Sequence, residues 1–263
     1  MNIIGFNHIQ LDSENVERTR AYYEALGGTV TRTLSREGGW RGYHVRLGKN
    51  SVLEIQPPRI PEAGGFDGWD HVALHVSDLD AACAAVSAAG GVVEKQPSPN
   101  QIGDQPIRNA VTLGPNGEKL ELIELPEDEK RPDGSWEVLE LHHVQLSCTD
   151  AERTRRFYEA AFGGAVEAVL KGRDGAVKGY MLRLAPGAAL ELAPPRFPLT
   201  GHTSAWNTLA METEDVPAAI AAFERAGGRL EVGPMESDMG GDKIENAVVI
   251  GPEGEHVELL RML

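Results

Sequence analysis

The stretch FNHIQLDSENVERTRAYYEALGG (residues 6–28) occurs a second time, in closely similar form, as LHHVQLSCTDAERTRRFYEAAFGG (residues 141–164). Two shorter stretches repeat in the same order: VLEIQPPRIP (52–61) with ALELAPPRFP (189–198), and TLGPNGEKLELIEL (112–125) with VIGPEGEHVELLRML (249–263). Self-similarity on this scale indicates that one structural unit occurs twice. The acidic, proline-containing stretch PEDEKRPDG (126–134) lies between the copies and is typical of a linker.

Each copy divides again, because a helix-like run that ends in Gly-Gly occurs four times in the chain. Glycine just past the last turn is the usual left-handed stop of a helix, and short β-rich runs surround each of these stretches. We therefore predict an α+β fold of four βαβββ modules. The predicted units are a first domain 1–126 with modules 1–62 and 66–126, a linker 127–137, and a second domain 138–263 with modules 138–199 and 203–263.

Composition narrows the classes of partner. The 40 acidic and 25 basic residues give a formal charge of -15, which repels nucleic acid and anionic membranes. No apolar run approaches the ~18 residues of a membrane span, and no basic leader precedes one, so we expect a cytoplasmic protein. Cys83 and Cys148 are too few for a disulfide framework. A small-molecule substrate and a monomer or homodimer are the expected partners.

Strand phase predicts a polar face on the side of the sheets away from the helices. Alternate side chains of a strand point to opposite faces. His8 in HIQL, Glu54 in VLEIQ, His71 in HVALHV and Glu121 in KLELI all lie opposite their apolar neighbours. Because the apolar rows must cover the helices, these four side chains are predicted to line the concave or solvated face.

This residue set suits a metal ion. Imidazoles and carboxylates bind divalent transition metals and leave one or two positions for water or substrate. One such residue alone is usually just a solvated position on a strand, but four at repeat-related positions favour a site. We predict one divalent ion (Zn, Ni, Mn or Fe) held by His8, Glu54, His71 and Glu121.

Four motifs in both halves carry a resemblance to a known family. They are H-x-x-L followed by a helix with R-x-(F/Y)-Y-E, then LEIQ, DHVALHVSDLD and GPNGEKLEL. The chain resembles a tandem member of the vicinal oxygen chelate superfamily, which includes glyoxalase I, methylmalonyl-CoA epimerase, extradiol dioxygenases and the fosfomycin and bleomycin resistance proteins. The resemblance covers nearly the whole chain and implies two domains with cupped, partly open β-barrel sheets.

The resemblance also implies a reaction. The order His8, Glu54, His71, Glu121 is similar to the His-Glu-His-Glu set of bacterial-type glyoxalase I, whereas an epimerase of the methylmalonyl-CoA kind is expected to have Gln at position 54. It implies a metal-dependent lyase or isomerase that moves a proton next to a carbonyl, through a chelated enediolate of a substrate with two adjacent oxygens. Glu121 or Glu54 would be the base, with Glu121 preferred.

The second half has His143, Glu191, Thr208 and Glu258 at the corresponding positions, so a threonine replaces one histidine. His256 is a possible substitute, but a degenerate copy that supports the first half is the favoured interpretation.

The pairing of modules is left open, because modules of this superfamily close either with the neighbour in sequence or by exchange. In the compact arrangement the full site is His8, Glu54, His71 and Glu121. In the exchanged arrangement His143 and Glu191 replace the first two residues.

Two other functions remain open. A non-haem iron extradiol dioxygenase needs only two histidines and one glutamate, and a binding or resistance protein needs no turnover. No clear cationic clamp for the carboxylates of glutathione is evident, so its use is open as well. Candidate pocket residues, each with a competing structural role, are Trp40, Tyr43, Phe66, Trp69 and Arg108. His75 is interpreted as a satisfied histidine, and Tyr22 and Tyr23 as packing residues.

Overall fold

The computed structural model describes residues 3–36, 39–58, 69–194 and 205–263. Its helices within these residues are α1 (Val16–Ala25), α2 (Leu79–Ala88), α3 (Ala151–Phe162) and α4 (Val216–Arg225). Each helix begins after an Asn or Asp whose side chain accepts a hydrogen bond from a backbone N–H of the first turn. The first glycine beyond each helix has a φ between 74° and 106°, which is the predicted left-handed stop.

Each module contributes four strands. The first two modules contain β1 (Ile3–Asp12), β2 (Thr29–Arg36), β3 (Trp40–Leu47), β4 (Ser51–Gln56), β5 (Trp69–Val76), β6 (Val92–Ile102), β7 (Gln105–Leu113) and β8 (Lys119–Glu124). The last two contain β9 (Val138–Ser147), β10 (Ala165–Lys171), β11 (Val177–Ala185), β12 (Ala188–Ala193), β13 (Trp206–Thr213), β14 (Arg229–Met239), β15 (Asp242–Ile250) and β16 (His256–Met262). The predicted α+β fold of four βαβββ modules is confirmed.

The sheets join modules from different halves of the chain. The central sheet has the order β10-β11-β12-β9-β5-β8-β7-β6 and combines the second and third modules. The terminal sheet has the order β14-β15-β16-β13-β1-β4-β3-β2 and combines the first and fourth modules. The seams are the antiparallel pairs β5 with β9 and β1 with β13.

Both sheets curl into cups whose edges meet. A side chain at Gly103, in the β6–β7 turn, would lie 2.8 Å from Cβ of Ala168 on β10. Likewise a side chain at Gly240, in the β14–β15 turn, would lie 3.2 Å from Leu34 on β2. Because only glycine fits such close approaches without displacement, the turn glycines allow each edge hairpin to close its cup.

The helix side follows the sequence halves instead. The hydroxyl of Tyr23 on α1 donates to Glu118 at 2.8 Å, and that of Tyr158 on α3 donates to Glu255 at 2.7 Å. All four side chains are buried, so these bonds tie the first module to the second and the third to the fourth. Burial outweighs the hydrogen bonds and raises the pKa of Glu118 and of Glu255 to about 7.

One apolar core runs through all four modules. Trp69 of the central sheet donates its indole N–H to the carbonyl of His256 at 3.1 Å, and Trp206 of the terminal sheet donates to the carbonyl of Lys119 at 3.0 Å. Both indoles are buried, so each bond pins one sheet to the other where water cannot compete. No helix in the described part of the chain has the length and hydropathy that crossing a membrane requires.

Candidate metal centre

Four side chains converge inside the central cup, one from each of four strands. They are His71 on β5, Glu121 on β8, His143 on β9 and Glu191 on β12, and we call this group the central site. One ligand atom from each lies within 4.8 Å of the others, and all four residues are buried. Nε2 of His71 lies 3.3 Å from Oε2 of Glu121, and Nε2 of His143 lies 3.2 Å from Oε2 of Glu191.

Strand register explains the convergence. Across the seam, His71 pairs with Gln145 and Ala73 pairs with His143. The parallel neighbours then place Glu121 beside Ala73 and Glu191 beside Gln145. Because side chains alternate along a strand, all four donors project from the same concave face.

The donors fit a divalent cation. Two imidazole nitrogens and two carboxylate oxygens are a usual set for zinc, nickel, manganese or iron, and they leave room for substrate oxygen. Buried charges and imidazoles with this spacing are costly unless they are paired, hydrogen-bonded or metal-bound. His71, Glu121, His143 and Glu191 are therefore the residues that would hold a metal ion in this cup.

A buried ion pair orients His71. Nδ1 of His71 donates to Oδ1 of Asp70 at 2.8 Å, and Nζ of Lys119 donates to both oxygens of Asp70 at 2.8 and 2.9 Å. Lys119 is 1% exposed, so this contact is shielded from solvent. The Asp70 carboxylate fixes the tautomer of His71 and leaves Nε2 directed at the other donors, which is the usual support of a metal-binding histidine.

Two further contacts position the remaining donors. The amide of Asn109 donates to Oε1 of Glu121, which leaves Oε2 of that carboxylate facing the imidazoles. Nδ1 of His143 lies 2.8 Å from Nδ1 of His142, so one ring donates to the other. Burial and the neighbouring His143 lower the pKa of His142 to about 3.

The carboxylates shift the titration of the site. Burial alone would lower the pKa of His71, but Asp70 and Glu121 outweigh it and raise that pKa to about 9. Burial acts in the opposite sense on Asp70, where His71 and Lys119 outweigh it and lower the pKa to about 2. The pKa of Glu121 is lowered as well, because His71 and His143 outweigh its burial. Both carboxylates are therefore ionised near neutral pH.

A second cluster occupies the terminal cup. His8 on β1, His44 on β3 and Glu54 on β4 offer ligand atoms within 4.8 Å of one another. Nε2 of His44 lies 3.0 Å from Oε2 of Glu54, and Nε2 of His8 lies 3.4 Å from Oε2 of Glu258 on β16. We call His8, His44, Glu54 and Glu258 the terminal site.

Comparison with known proteins places the chain in a family. A sequence model of the Glyoxalase/Bleomycin resistance protein/Dioxygenase superfamily matches residues 5–126 and 140–259. The chain belongs to this superfamily. The matched ranges are the two sequence halves, so the family unit is repeated in tandem.

Two curated relatives of this superfamily member match part of its length. A probable chloroplastic lactoylglutathione lyase of Arabidopsis thaliana is 31% identical over 179 residues, which are 64% of this chain and 47% of the relative. A probable lactoylglutathione lyase of Vibrio cholerae is 36% identical over 58 residues, which are 22% of this chain and 41% of the relative. The matched part of the chain thus spans less than half the length of either relative.

A solved structure extends the likeness to the whole fold. The crystal structure of a glyoxalase I mutant from Zea mays aligns with a TM-score of 0.76 and 23% identity, covering 98% of this chain and 92% of that chain. At this identity the likeness establishes the shared fold.

The structure does not bring together the four residues of the compact superfamily arrangement. His8 and Glu54 lie in the terminal sheet, whereas His71 and Glu121 lie in the central sheet. The reason is that β5 pairs with β9 rather than with β1, so the second module faces the third. The exchanged alternative, with His143 joining the central cup, is the arrangement present. Each sheet consequently combines one module from 1–126 with one from 138–263.

His256 does not replace the missing histidine of the terminal cup. Its Nε2 lies 3.1 Å from Glu231. Thr208 occupies the position equivalent to His71, and its hydroxyl donates to the side chain of Asn207 at 2.7 Å.

Other sequence candidates have structural partners. The hydroxyl of Tyr43 donates to Glu17 at 2.6 Å, His75 contacts Asp128 at 2.8 Å, and Arg108 forms ion pairs with Glu124 and Asp80. Tyr22 and Tyr23 are buried as packing residues. Phe66 and the side chain of Trp40 lie outside the described residues. Burial raises the thiol pKa of Cys83 to about 11 and of Cys148 to about 12, as expected for inert cysteines.

Sequence reasoning missed several residues of the two sites. His44 has no histidine counterpart in the repeat, so the repeat could not reveal it. Asn109 recurs as Asn246 in the matching stretches RNAV and ENAV, a signal that would have found both. Gln145, two residues after His143 on the same face, is fully buried, and its amide has no hydrogen-bond partner among the described residues.

Proposed function

We propose that this chain is a metal-dependent lyase or isomerase of the glyoxalase I type, and that the central site performs the reaction. The single observation that carries the proposal is the convergence of His71, Glu121, His143 and Glu191 within one buried cup. A fourth ligand, Glu191, favours this chemistry over that of a dioxygenase, which needs only two histidines and one carboxylate.

The proposed substrate class carries two neighbouring oxygens. Lactoylglutathione, the compound in the names of both curated relatives, has a hydroxyl next to a thioester carbonyl and meets this description. A divalent ion held by the site would supply Lewis acidity for the negative charge that develops on substrate oxygen when a neighbouring carbon loses its proton. Burial of the donors keeps water away from that charge.

Glu121 is the proposed base. Its side chain is 11% exposed, against 3% for Glu191, so it is the more accessible carboxylate on the substrate side. Asn109 anchors one oxygen, and the other is free to take a proton from the substrate carbon and return it to the adjacent carbon. Glu54, the other sequence candidate for the base, belongs to the terminal cup.

Gln145 is the proposed contact to substrate. A buried amide without a partner is rare in folded proteins and calls for a ligand. Its backbone pairs with both His71 and Glu191, which places the residue between two donors on the concave face. Its amide N–H would donate to a substrate oxygen and its carbonyl would accept from a hydroxyl.

The test is turnover by tag-free protein loaded in turn with nickel, zinc, manganese or iron. Glutathione mixed with an α-oxo aldehyde serves as substrate, and the ultraviolet absorbance of the thioester product is followed. We expect turnover that His143→Ala abolishes and His8→Ala leaves in place, because only His143 belongs to the central cup.

Three outcomes would overturn the proposal. Turnover lost in His8→Ala but kept in His143→Ala would move the reaction to the terminal cup. Oxygen uptake with catechols under ferrous iron, without thioester formation, would identify an extradiol dioxygenase. Tight binding of a small molecule by protein that takes up no metal would identify a binding or resistance protein.

A further inference from the structure

The terminal cup has lost one histidine and gained another. Thr208 stands where the central cup has His71. On the facing strands, His44 pairs with Glu54 on β3 and β4, and the equivalent pair on β11 and β12 is Met181 with Glu191. The loss and the gain fall on different strands, so each cup keeps two imidazoles.

The gained imidazole faces the same carboxylate as the retained one. Nε2 of His44 lies 3.0 Å and Nε2 of His8 lies 3.5 Å from Oε2 of Glu54. Glu258 approaches from the opposite side, with its Oε2 at 3.4 Å from Nε2 of His8. The terminal cup therefore assembles two nitrogens and two carboxylates around one point.

The donors of the terminal cup are supported in the same way as those of the central cup. Nδ1 of His8 lies 3.0 Å from the side-chain oxygen of Asn7, so it donates there and turns Nε2 towards the carboxylates. The amide of Asn246 donates to Oε1 of Glu258 at 2.6 Å, as Asn109 does to Glu121. This support aims lone pairs at the cavity, which is what a bound cation requires.

The cup is also accessible. A cavity of about 430 Å³, including its open mouth, is lined by His8, Glu54 and Glu258 together with the β14–β15 turn that carries Ser237 and Asp238. An ion and its oxygen ligands can therefore reach the donors from solvent.

We propose that the terminal cup is a second metal site, in which His8, His44, Glu54 and Glu258 bind a divalent transition-metal ion. His44 substitutes for the histidine that the repeat lost at Thr208, from a neighbouring strand. This site is independent of the proposed reaction, since it shares no donor with the central site. The competing explanation is that His44 only donates a hydrogen bond to Glu54 in a metal-free cluster.

The experiment is the metal content of tag-free protein after zinc reconstitution and desalting, measured by elemental mass spectrometry. We expect about two zinc ions per chain in the wild type, and about one in His44→Met and in His143→Ala, because each variant loses one four-donor site. Methionine is the matched replacement, since Met181 occupies the same position in the central cup. The double variant should hold none.

Cobalt substitution gives a second measurement of the same sites. The visible absorption of Co²⁺ should fall by about half in His44→Met, and Glu258→Gln serves as an independent variant should the first fold poorly. One zinc per chain that persists in His44→Met and disappears in His143→Ala would overturn the second site while leaving the proposed function standing. One zinc that disappears only in His44→Met would support the second site and contradict the metal requirement of the central one.

Discussion

The central and terminal sites hold the same inventory of side chains but differ in how they support it. In the central cup a buried carboxylate, Asp70, orients His71 and is itself held by Lys119. In the terminal cup the corresponding residues are Asn207 and Thr208, and His256 in place of Lys119 turns away to Glu231. The comparison teaches that this fold fixes where donors can lie, whereas the charge behind them differs between copies.

The largest difference between the cups should appear in catalysis. Glu121→Gln removes the proposed base while preserving shape, and we expect kcat to fall by about 10²–10⁴-fold. Glu258→Gln is the matched change in the terminal cup and should leave kcat unchanged, because no reacting atom lies there. Steady-state kinetics on both variants decide the point, and equal losses would show that the cups act together.

Stability should distinguish the ion pair of the central cup. Lys119→Met leaves Asp70 buried without its cation, and we expect the free energy of unfolding to fall by about 3–5 kcal/mol. His256→Leu changes the equivalent residue, which is half-buried, and should cost under about 1 kcal/mol. Denaturant unfolding of the metal-free proteins measures both, and a small effect of Lys119→Met would mean that solvent reaches the pair.

The helix side should behave alike in both halves and so confine the difference to the cups. Glu118 and Glu255 have a pKa of about 7 in the folded chain against 4.5 unfolded. Between these values the folded state keeps a proton that the unfolded state has released, so stability falls as pH rises, by about 3 kcal/mol for each residue.

Glu118→Gln and Glu255→Gln should each remove that share of the pH dependence, because the amide does not ionise. Unfolding measured from pH 4.5 to 7 on the two variants and the wild type provides the check. A slope that stays unchanged in both variants would contradict the assigned pKa values.

The smallest expected effect concerns metal affinity. Asp70→Asn gives His71 the kind of amide support that His8 receives from Asn7, and we expect the metal affinity of the central site to weaken by about 10–100-fold. Asn7→Asp is the reciprocal change and should strengthen the terminal site. Competition with a chelator measures both, and no change in either would show that the neighbouring charge does not tune these histidines.

Much of the fold was predictable because it is written in local patterns. The Gly-Gly stops and the alternation in stretches such as HVALHV located the helices, the strands and the polar face. The phase of His71 and Glu121 placed them correctly on the concave side.

The pairing of modules was not predictable from local patterns. β5 offers the same apolar and polar faces whether β1 or β9 lies beside it, so the alternation in HVALHV fits both arrangements. The choice depends on contacts between sheets, such as the bond from Trp206 to the carbonyl of Lys119, that join residues far apart in sequence. His44 escaped notice for a related reason, because its role exists only opposite Glu54 in the folded sheet.

The exchange of modules between sheets also sets an order of birth during translation. The central sheet is one uninterrupted span of chain, so a ribosome delivers all of β5–β12 before β13 exists. During that interval the first module waits with the unpaired edge of β1 exposed, which is a risk for aggregation. The central cup can therefore be complete while the terminal cup is still half made, and the nascent chain depends on its final strands to cover an edge produced at its beginning.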